Sequence, residues 1–573
     1  MATDIDLVLV NPGGRARIYQ SLATEVTAVE PPVWAGLMAS FVRERGHSVA
    51  ILDTNAEELD PEQAAARVIE MRPRLVAVPV YGHQPSASTQ VMPGASAVVG
   101  ALKDLAPELP VLMVGGHVTS LPQRTLAEER CDFVAGGEGL HTMVELLEAL
   151  TASRTPDFSR VRGLWTRDGA GAKCTAPAPL VMNVDVEMPG VAWDLLPMQK
   201  YRAHNWHCFG EPSREPYAAL YTTLGCPYHC TFCCIQAPFK SGESLAGYKD
   251  SVNSYRFWSP ARVLDDLTLL VDRYGVRNVK IADEMFVLNA RHVNAICDGI
   301  VERGLSLNIW AYARVDTVKD SMVDKLARAG VRWLAFGIEA ANERVRADVD
   351  KGFGDELFVL NARHVNALCA GIVERGLDLN IWAYARVDTV KEGMLEKLRR
   401  AGVRWLAYGI EAASERVRDD VDKGFGDALV HATLEKTRAA DIYVIGNYIF
   451  GLPEDDFDTM QKTLDLALSL DCEFANFYCA MAYPGSPLYE TAIAEGWPLP
   501  ATWSGYSQHS IDSLPLPTRH LSAGEVLRFR DEAFQTYFKN PRYLQLVEAT
   551  FGAATLREIA AMSAHRLERR FAA

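Results

Sequence analysis

The sequence predicts an α/β protein: a doubly wound, Rossmann-like domain, then a second domain of parallel strand–helix units, then a small helical region. Three observations carry this. Apolar strand-like runs alternate with helical stretches over the first 150 or so residues; further strand–helix units follow a Pro- and Gly-rich connector; and a 72-residue segment within them is repeated in tandem without a gap. A chain of 573 residues also exceeds what one core supports, which points to roughly three to four folding units. The expected boundaries are 1–155 for the first domain, 156–215 for a linker, 216–500 for the second domain and 501–573 for the helical region.

In the first domain the buried strands are IDLVLV (5–10), VAIL (49–52), LVAVPV (75–80), VLMV (111–114) and DFVAG (132–136). Between them lie helical stretches such as PPVWAGLMASFVRERG, with apolar residues at turn spacing and Gly after the last turn. Five strand–helix alternations predict a parallel sheet. Such a sheet takes ligands in the crevice beyond the carboxyl ends of its strands. The segments there are NPGGRARIYQ, VYGHQPSAS, GGHVTSLP and GGEG. One Gly-rich turn means little, but four at one edge indicate a large ligand approached by backbone, with Tyr81, Gly82, Gly115, Gly116, Gly136, Gly137 and Glu138 as candidate contacts. No G-x-G-x-x-G follows the first strand, which weakens a dinucleotide reading.

Composition narrows the class. The chain is 49% hydrophobic and 23% charged, ordinary globular usage, and its net charge of −15 argues against a nucleic-acid partner. The start MATDIDLVLVNPGG lacks a basic segment leading into an apolar one, and no stretch reaches the eighteen or so apolar residues of a membrane span, so a cytoplasmic protein without a membrane partner is expected. Eleven cysteines are too sparse for a disulfide scaffold. Seven of them (Cys131, Cys174, Cys208, Cys297, Cys369, Cys472 and Cys479) are scattered and read as small buried hydrophobes.

The other cysteines cluster. YTTLGCPYHCTFCC sets Cys226, Cys230 and Cys233 in the spacing C-x3-C-x2-C on a loop after a short apolar strand. Three thiolates this close can hold a [4Fe–4S] cluster and leave one iron without a protein ligand. The rivals are a zinc knuckle, which wants a fourth ligand that His229 or Cys234 would have to supply, and an electron-transfer cluster, which wants a fourth cysteine; no second C-x2-C pair exists. Cys234 is expected to be a non-ligand.

CPYHCTFC after a first barrel strand resembles the signature of the radical S-adenosylmethionine (SAM) superfamily, and the Gly-rich domain ahead of it resembles the cobalamin-binding domain of the cobalamin-dependent radical SAM enzymes, whose best-known members are methylases. The resemblance covers roughly 1–155 and 216–500. It implies a (βα) barrel of six strands and three cofactors: a [4Fe–4S] cluster, SAM and cobalamin. It also implies a flavodoxin- or ferredoxin-type electron donor and a small organic substrate. One departure stands out. The string D-x-H-x-x-G, whose His ligates cobalt from below in methionine-synthase-type domains, is absent; His83 and His117 lie near the right edge but outside any such motif, and structural or capping roles are expected for both.

Alternation orients the barrel strands. VKIADEMF (279–286) reads as a strand ending in Asp283 and Glu284, which by the resemblance hold the amino group of SAM. In NIWAYARVD, Ile309, Ala311, Ala313 and Val315 form the face toward helices, and Trp310, Tyr312, Arg314 and Asp316 the face toward the interior. In WLAFGIEA the inward set is Trp333, Ala335, Gly337 and Glu339. Charged residues at the carboxyl ends of such strands are where a barrel builds its site, although a surface salt bridge is the rival role for Arg314 and Asp316. The strands VIGNYIFGLPE and FANFYCAMAYPGSPLY complete the set, and Gly451 and Pro453 at the end of the first would let backbone approach the adenosine.

The repeat comprises 287–358 and 359–430, which differ at about 13 positions and add two βα units. In copy two the equivalents of the two acids, Asp355 and Glu356, follow VDKGFG rather than a strand and are not expected to reproduce the amine site. Three outcomes compete: eight strands in one ring, six strands with one copy's pair excluded, or a recombined sequence that folds poorly. Exclusion would expose apolar strand faces at ~25 cal/mol per Å², so incorporation is expected.

The implied activity is transfer of a methyl group to an unactivated carbon, by way of a 5′-deoxyadenosyl radical and methylcobalamin. Two alternatives remain open: a cobalamin-dependent radical cyclase or rearrangement enzyme, and a non-catalytic cobalamin or iron–sulfur binding module.

Overall fold

The computed structural model describes residues 4–14, 27–82, 88–227, 255–337 and 369–571, apart from 154, 170, 205, 209–212, 315–316, 319, 371, 375, 377–380, 386, 388–389, 391, 415–416, 418–425 and 483–491. The chain forms two compact units, Met1–Arg15 with Val26–Gly337 and Ala16–Glu25 with Ile338–Ala573.

The first unit opens with a seven-stranded sheet in the order β2-β1-β3-β4-β5-β6-β7. Its strands are β1 (Ile5–Asn11), β2 (Val49–Asp53), β3 (Pro73–Pro79), β4 (Val111–Val114), β5 (Phe133–Ala135), β6 (Leu164–Asp168) and β7 (Gly171–Cys174). The first five are parallel. Residues 7–10 are wholly buried, as continuous apolar runs require when helices cover both faces. Leu7 and Leu9 join the core cluster of the helices Val33–Arg43 and Leu140–Ala152, while Val8 and Val10 point the other way.

The antiparallel pair β6–β7 falls where the sequence reading places linker. An edge hairpin needs little apolar material, so it leaves no buried-strand signature. Along β6, Leu164 is buried while Arg167 and Asp168 are exposed, and the Arg167 guanidinium bonds the carbonyls of Leu126, Glu129 and Cys131. Cys174, expected to be buried, is exposed at the end of this edge; the other six scattered cysteines are buried.

A four-stranded parallel sheet follows in the same unit, in the order β13-β12-β11-β8: β8 (Tyr217–Leu220), β11 (Asn278–Ile281), β12 (Asn308–Arg314) and β13 (Val331–Gly337). A short antiparallel pair, β9 (Thr223–Leu224) and β10 (Arg256–Phe257), lies beyond β8. The helices Pro260–Tyr274 and Ala290–Glu302 start where Ser259 and Asn289 cap their first amides. Ile309, Ala311 and Ala313 are buried in the core, and Trp310 and Tyr312 on the opposite face are half-buried, as the alternation requires. Strand β11 stops at Ile281 rather than running to Phe286. After Ala282 N–H bonds Leu220 O, the side chain of Asp283 takes over the contact to the neighbouring chain, and both acids stand in the turn beyond the strand.

The second unit holds the parallel sheet β14 (Ile381–Ala385), β15 (Val403–Glu411), β16 (Tyr443–Phe450) and β17 (Phe474–Cys479), in chain order. The helices Ala523–Phe538 and Pro541–Ala564 pack on it: Tyr537 donates to Cys472 O at 2.6 Å, and Phe551 stacks on Trp405 with centroids 5.6 Å apart.

The repeat copies adopt the same local pairing. Ile309 opposes Val331, Trp310 opposes Trp333 and Ala311 opposes Leu334, with a register shift after Ile309; Ile381, Trp382 and Ala383 oppose Val403, Trp405 and Leu406, with the shift after Ile381. Each pair is bonded to a single-copy strand, β12 to β11 and β15 to β16, so neither copy stands outside a sheet. Since β13 and β15 differ only at Phe336/Tyr408 over 331–337 and 403–409, deleting 359–430 is expected to give a soluble protein in which β13 pairs with β16. It would lose the bond between the Tyr408 and Thr437 hydroxyls, 2.8 Å, and with it about 0.5–1.5 kcal/mol. Soluble yield and thermal melting check this; an insoluble product would mean the added units are integral.

Candidate functional site

In the first sheet the strand order reverses between β1 and β3, the place where open α/β sheets form a ligand crevice. A shallow recess, open to solvent, lies there, with Asn11, Pro79, Tyr81 and Gly82 on one side and Ala219, Tyr221 and Ala282 on the other. The carboxyl edge of the first sheet thus faces β8 and the turn after β11. Trp34 lies flat on Tyr81, centroids 4.5 Å apart at 9°, and its indole bonds the Tyr221 hydroxyl. The Tyr81 hydroxyl is buried and has no hydrogen-bond partner among the described residues.

Glu30 lines the recess, and the polar groups on and after the strands next to its lining residues Ala219, Tyr221 and Ala282 are fixed by their surroundings. Lys280 Nζ lies 3.1 and 3.3 Å from the two carboxylate oxygens of Glu30 and 4.7 Å from the Trp310 ring centroid. Thr222 donates both its amide and its hydroxyl to Asp283, each at 2.5 Å. Because that hydroxyl proton points at Asp283, His292 Nε2, 3.3 Å from Thr222 Oγ1, acts as the donor. Burial lowers the His292 pKa to about 4, which keeps the ring neutral. Burial lifts Asp283 to about 6 against its hydrogen bonds to Thr222 and Thr223. Burial, with Asp283 adjacent, pushes Glu284 up to about 8, and its Oε2 has no partner among the described residues. A carboxyl in that state accepts a cationic or donor ligand readily.

The sequence-predicted residues divide by this geometry. Tyr81 and Gly82 line the recess. Gly115 is glycine for a packing reason: φ is +133°, and a Cβ there would sit 2.5 Å from Val80 O. Gly116 begins the short helix Gly116–Ser120, and Gly136 N–H is bonded to Gly163 O at 2.8 Å. Gly137 turns through φ +62° with open space where a Cβ would be. Glu138 is buried, ion-paired with Arg256 and accepting from Val181 N–H, so its carboxylate is committed to protein partners. His117 Nδ1 is 3.0 Å from Thr89 Oγ1, and burial keeps its pKa near 4. Cys226 is half-buried just past β9. Cys230, Cys233, Cys234, His83, Asp316, Glu339 and the Arg314 side chain lie outside the described residues.

In the second unit, Gly451 turns through φ +79°, with its amide and that of Leu452 both donating to Asp455 at 3.0 Å. Pro453 O accepts from Arg519 N–H. Glu411, the copy-two counterpart of Glu339, ends β15 with φ +62° at a register shift against β16. A left-handed backbone at a non-glycine costs of order 1–3 kcal/mol and concentrates at functional sites.

Sequence reasoning did not single out Glu30, Trp34, Thr222, Arg256, Lys280 or His292. A signal existed for Glu30, a lone acid inside the apolar, Pro-flanked AVEPPVW, and for Lys280, a cation on the inward face of VKIA.

Comparison with known proteins gives two domain matches: the B12 binding domain over residues 19–147 and the Radical SAM superfamily over 220–368. An uncharacterized methyltransferase of Pyrococcus horikoshii is 26% identical over 94% of this chain and 93% of its own length. The anaerobic magnesium-protoporphyrin IX monomethyl ester cyclase of Cereibacter sphaeroides is 23% identical over 91% and 68%. The hopanoid C-3 methylase of Methylococcus capsulatus is 26% identical over 56% of this chain and 57% of that protein. Among solved structures, the cobalamin-dependent SAM radical enzyme OxsB with aqua-cobalamin bound aligns at 14% identity with TM-score 0.49, covering 98% of this chain and 71% of that one. The radical SAM methyltransferase TsrM from Kitasatospora setae aligns at 14% identity with TM-score 0.46, covering 98% and 99%. No helix among the described residues is long and apolar enough to cross a membrane.

Proposed function

We propose that this chain, a radical SAM protein with a B12 binding domain ahead of its SAM domain, is a methyltransferase acting on an unactivated carbon of a small organic molecule. The observation that carries the reading is the recess between the carboxyl edge of the B12 binding domain's sheet and the strand ends that follow β8 and β11. The relatives named as a methyltransferase and a methylase support methyl transfer. The cyclase match, over 91% of this chain, keeps radical cyclisation as the second reading.

The chemistry of the residue types suits the three groups: thiols for a cluster, a partnerless buried carboxyl for an amine, and Gly-rich strand ends for a large ligand. In our reading Cys226, Cys230 and Cys233 hold the cluster, and Glu284, whose buried oxygen lacks a partner among the described residues, takes the amine of SAM. Asp283, immobilised by Thr222, fixes the turn that carries Glu284. The resemblance, and not a shared site in the structure, assigns Arg314, Glu339, Gly451 and Pro453 to the rest of SAM. Tyr81, Gly82, Gly115, Gly116, Gly136 and Gly137 border the cobalamin side. When bound, the cluster, SAM and cobalamin supply the radical and the methyl group; the protein binds, orients and excludes water. The Trp34–Tyr81 stack and Tyr221 supply the aromatic wall of the recess. A flavodoxin- or ferredoxin-type donor is the proposed electron source.

The test is anaerobic reconstitution with iron, sulfide and hydroxocobalamin, followed by SAM and dithionite. Formation of 5′-deoxyadenosine is expected, with S-adenosylhomocysteine accumulating once a substrate is methylated. Absence of 5′-deoxyadenosine would remove the radical reading, and a substrate-dependent product without S-adenosylhomocysteine would favour cyclisation.

A further inference from the structure

We propose that two buried ion pairs, Glu30–Lys280 and Glu138–Arg256, are positioning residues that set the separation of the B12 binding domain from the SAM domain, and hence the distance between their cofactors. This rests on the reading that both domains are loaded.

Four observations carry it. Each pair joins an acid of the first domain to a base of the second, across 250 residues in one case and 118 in the other. The side chains are nearly inaccessible, 2% and 4% exposed for Lys280 and Glu30 and 3% each for Arg256 and Glu138. Each pair is held by further directional contacts. The Tyr217 hydroxyl bonds Glu30, and the Trp310 ring lies under the ammonium of Lys280. Val181 offers its N–H to Glu138 and its carbonyl to Arg256. Finally, each pair adjoins a residue of the recess: Glu30 itself lines it, and the charges of Glu138 and Arg256 act on Tyr81, which also lines it.

Stability alone does not account for this arrangement. Taking two charges out of water costs several kcal/mol per ion, and apolar residues of similar volume often hold such a contact as well or better. What an ion pair with fixed hydrogen bonds adds is geometry: a slip of one domain against the other breaks charge-assisted bonds in a dry setting. The segment carrying Glu30 is pinned as well, by reciprocal backbone bonds between Val29 and Arg202 of 2.9 and 3.1 Å. A recess between two cofactor domains needs that constancy, because transfer between bound groups is sensitive to misplacement of about 1 Å.

The test measures the cofactor separation in the holoenzyme by pulsed electron paramagnetic resonance between cob(II)alamin and the reduced cluster. Wild type is expected to give one narrow distance. Glu30→Gln and Glu138→Gln are expected to lose it and give a broad distribution. The decisive variant is Glu30→Met/Lys280→Met, which replaces the pair by apolar groups. It is expected to melt near the wild-type temperature and still show the broad distribution. A stable double variant with the narrow distance unchanged would overturn the proposal. So would a double variant that unfolds, which would make the pair a stabiliser instead. If wild type lacks either paramagnetic signal, the two-cofactor reading is what fails. The positioning role is then read from hydrogen exchange in Glu30→Gln: faster exchange in both 27–32 and β11 supports it, and unchanged rates overturn it.

Discussion

Replacing Cys226 by alanine is expected to abolish 5′-deoxyadenosine formation in the reconstituted protein and to remove the brown cluster chromophore, while the far-ultraviolet circular dichroism stays that of wild type. Three closely spaced thiolates leave no spare protein ligand, so losing one leaves two of the four irons of a [4Fe–4S] cluster without a protein ligand. Loss of a mere outer partner of a metal ligand costs roughly 10- to 100-fold in affinity or activity, and loss of a direct ligand should exceed that. The fold should survive because Cys226 is half-buried beyond β9 and outside the apolar core, whose contacts do not depend on it. Cys234→Ala is the companion control: it should retain the chromophore, since three thiolates suffice. Retained 5′-deoxyadenosine in Cys226→Ala would require another ligand set.

The second large effect concerns Glu284 and changes sign with ligand. Its pKa rises from about 4.5 to about 8 on folding, through burial and the adjacent Asp283. A raised carboxyl pKa favours the folded state fully below the unfolded value, and that contribution is lost as pH rises through about 8. Glu284→Gln carries no charge to desolvate. The apo variant should therefore melt higher than wild type at pH 8.5, and the gap should close toward pH 5. A tenfold change in proton affinity on folding is worth about 1.4 kcal/mol, which sets the scale of that gap. With SAM the order reverses. An ammonium beside Glu284 supplies the missing partner, so the variant should bind SAM more weakly by about 1.5–3 kcal/mol, roughly 10- to 150-fold. Calorimetric melting at the two pH values and titration with SAM read the two effects separately. If the melting gap is absent, Glu284 is not buried as a lone acid; if only the SAM effect is absent, the amine sits elsewhere.

How far the site is legible in the sequence depends on how local its physics is. The strands of the first sheet, as runs of Val, Leu and Ile, and the alternation of Ile309, Ala311 and Ala313 against Trp310 and Tyr312 are properties of neighbours along the chain. The hairpin β6–β7 is not legible, because an edge strand of mixed polarity looks like linker. Strand β11 looks longer in the sequence than it is, for a related reason: the apolar Met285 and Phe286 are buried, yet they lie in a turn whose course is set by Thr222 beyond another strand. Glu138 shows the same limit in a site residue. Its Gly-rich surroundings indicate a ligand contact, and only the chain returning 118 residues later reveals Arg256 as its partner.

The repeat divides in the same way. By itself the sequence determined the kind of domain in each half, the cysteine spacing that points to a cluster, and the existence of two near-identical βα pairs, because spacing, periodicity and duplication are written along one dimension. Tertiary structure decided which strands those pairs join, β12 beside β11 and β15 beside β16, because identical residues offer identical edges and only the available neighbour distinguishes them. It also decided that Glu30 and Lys280 meet. A buried charge is tolerable only where an opposite charge arrives, and no local pattern records which distant residue that will be.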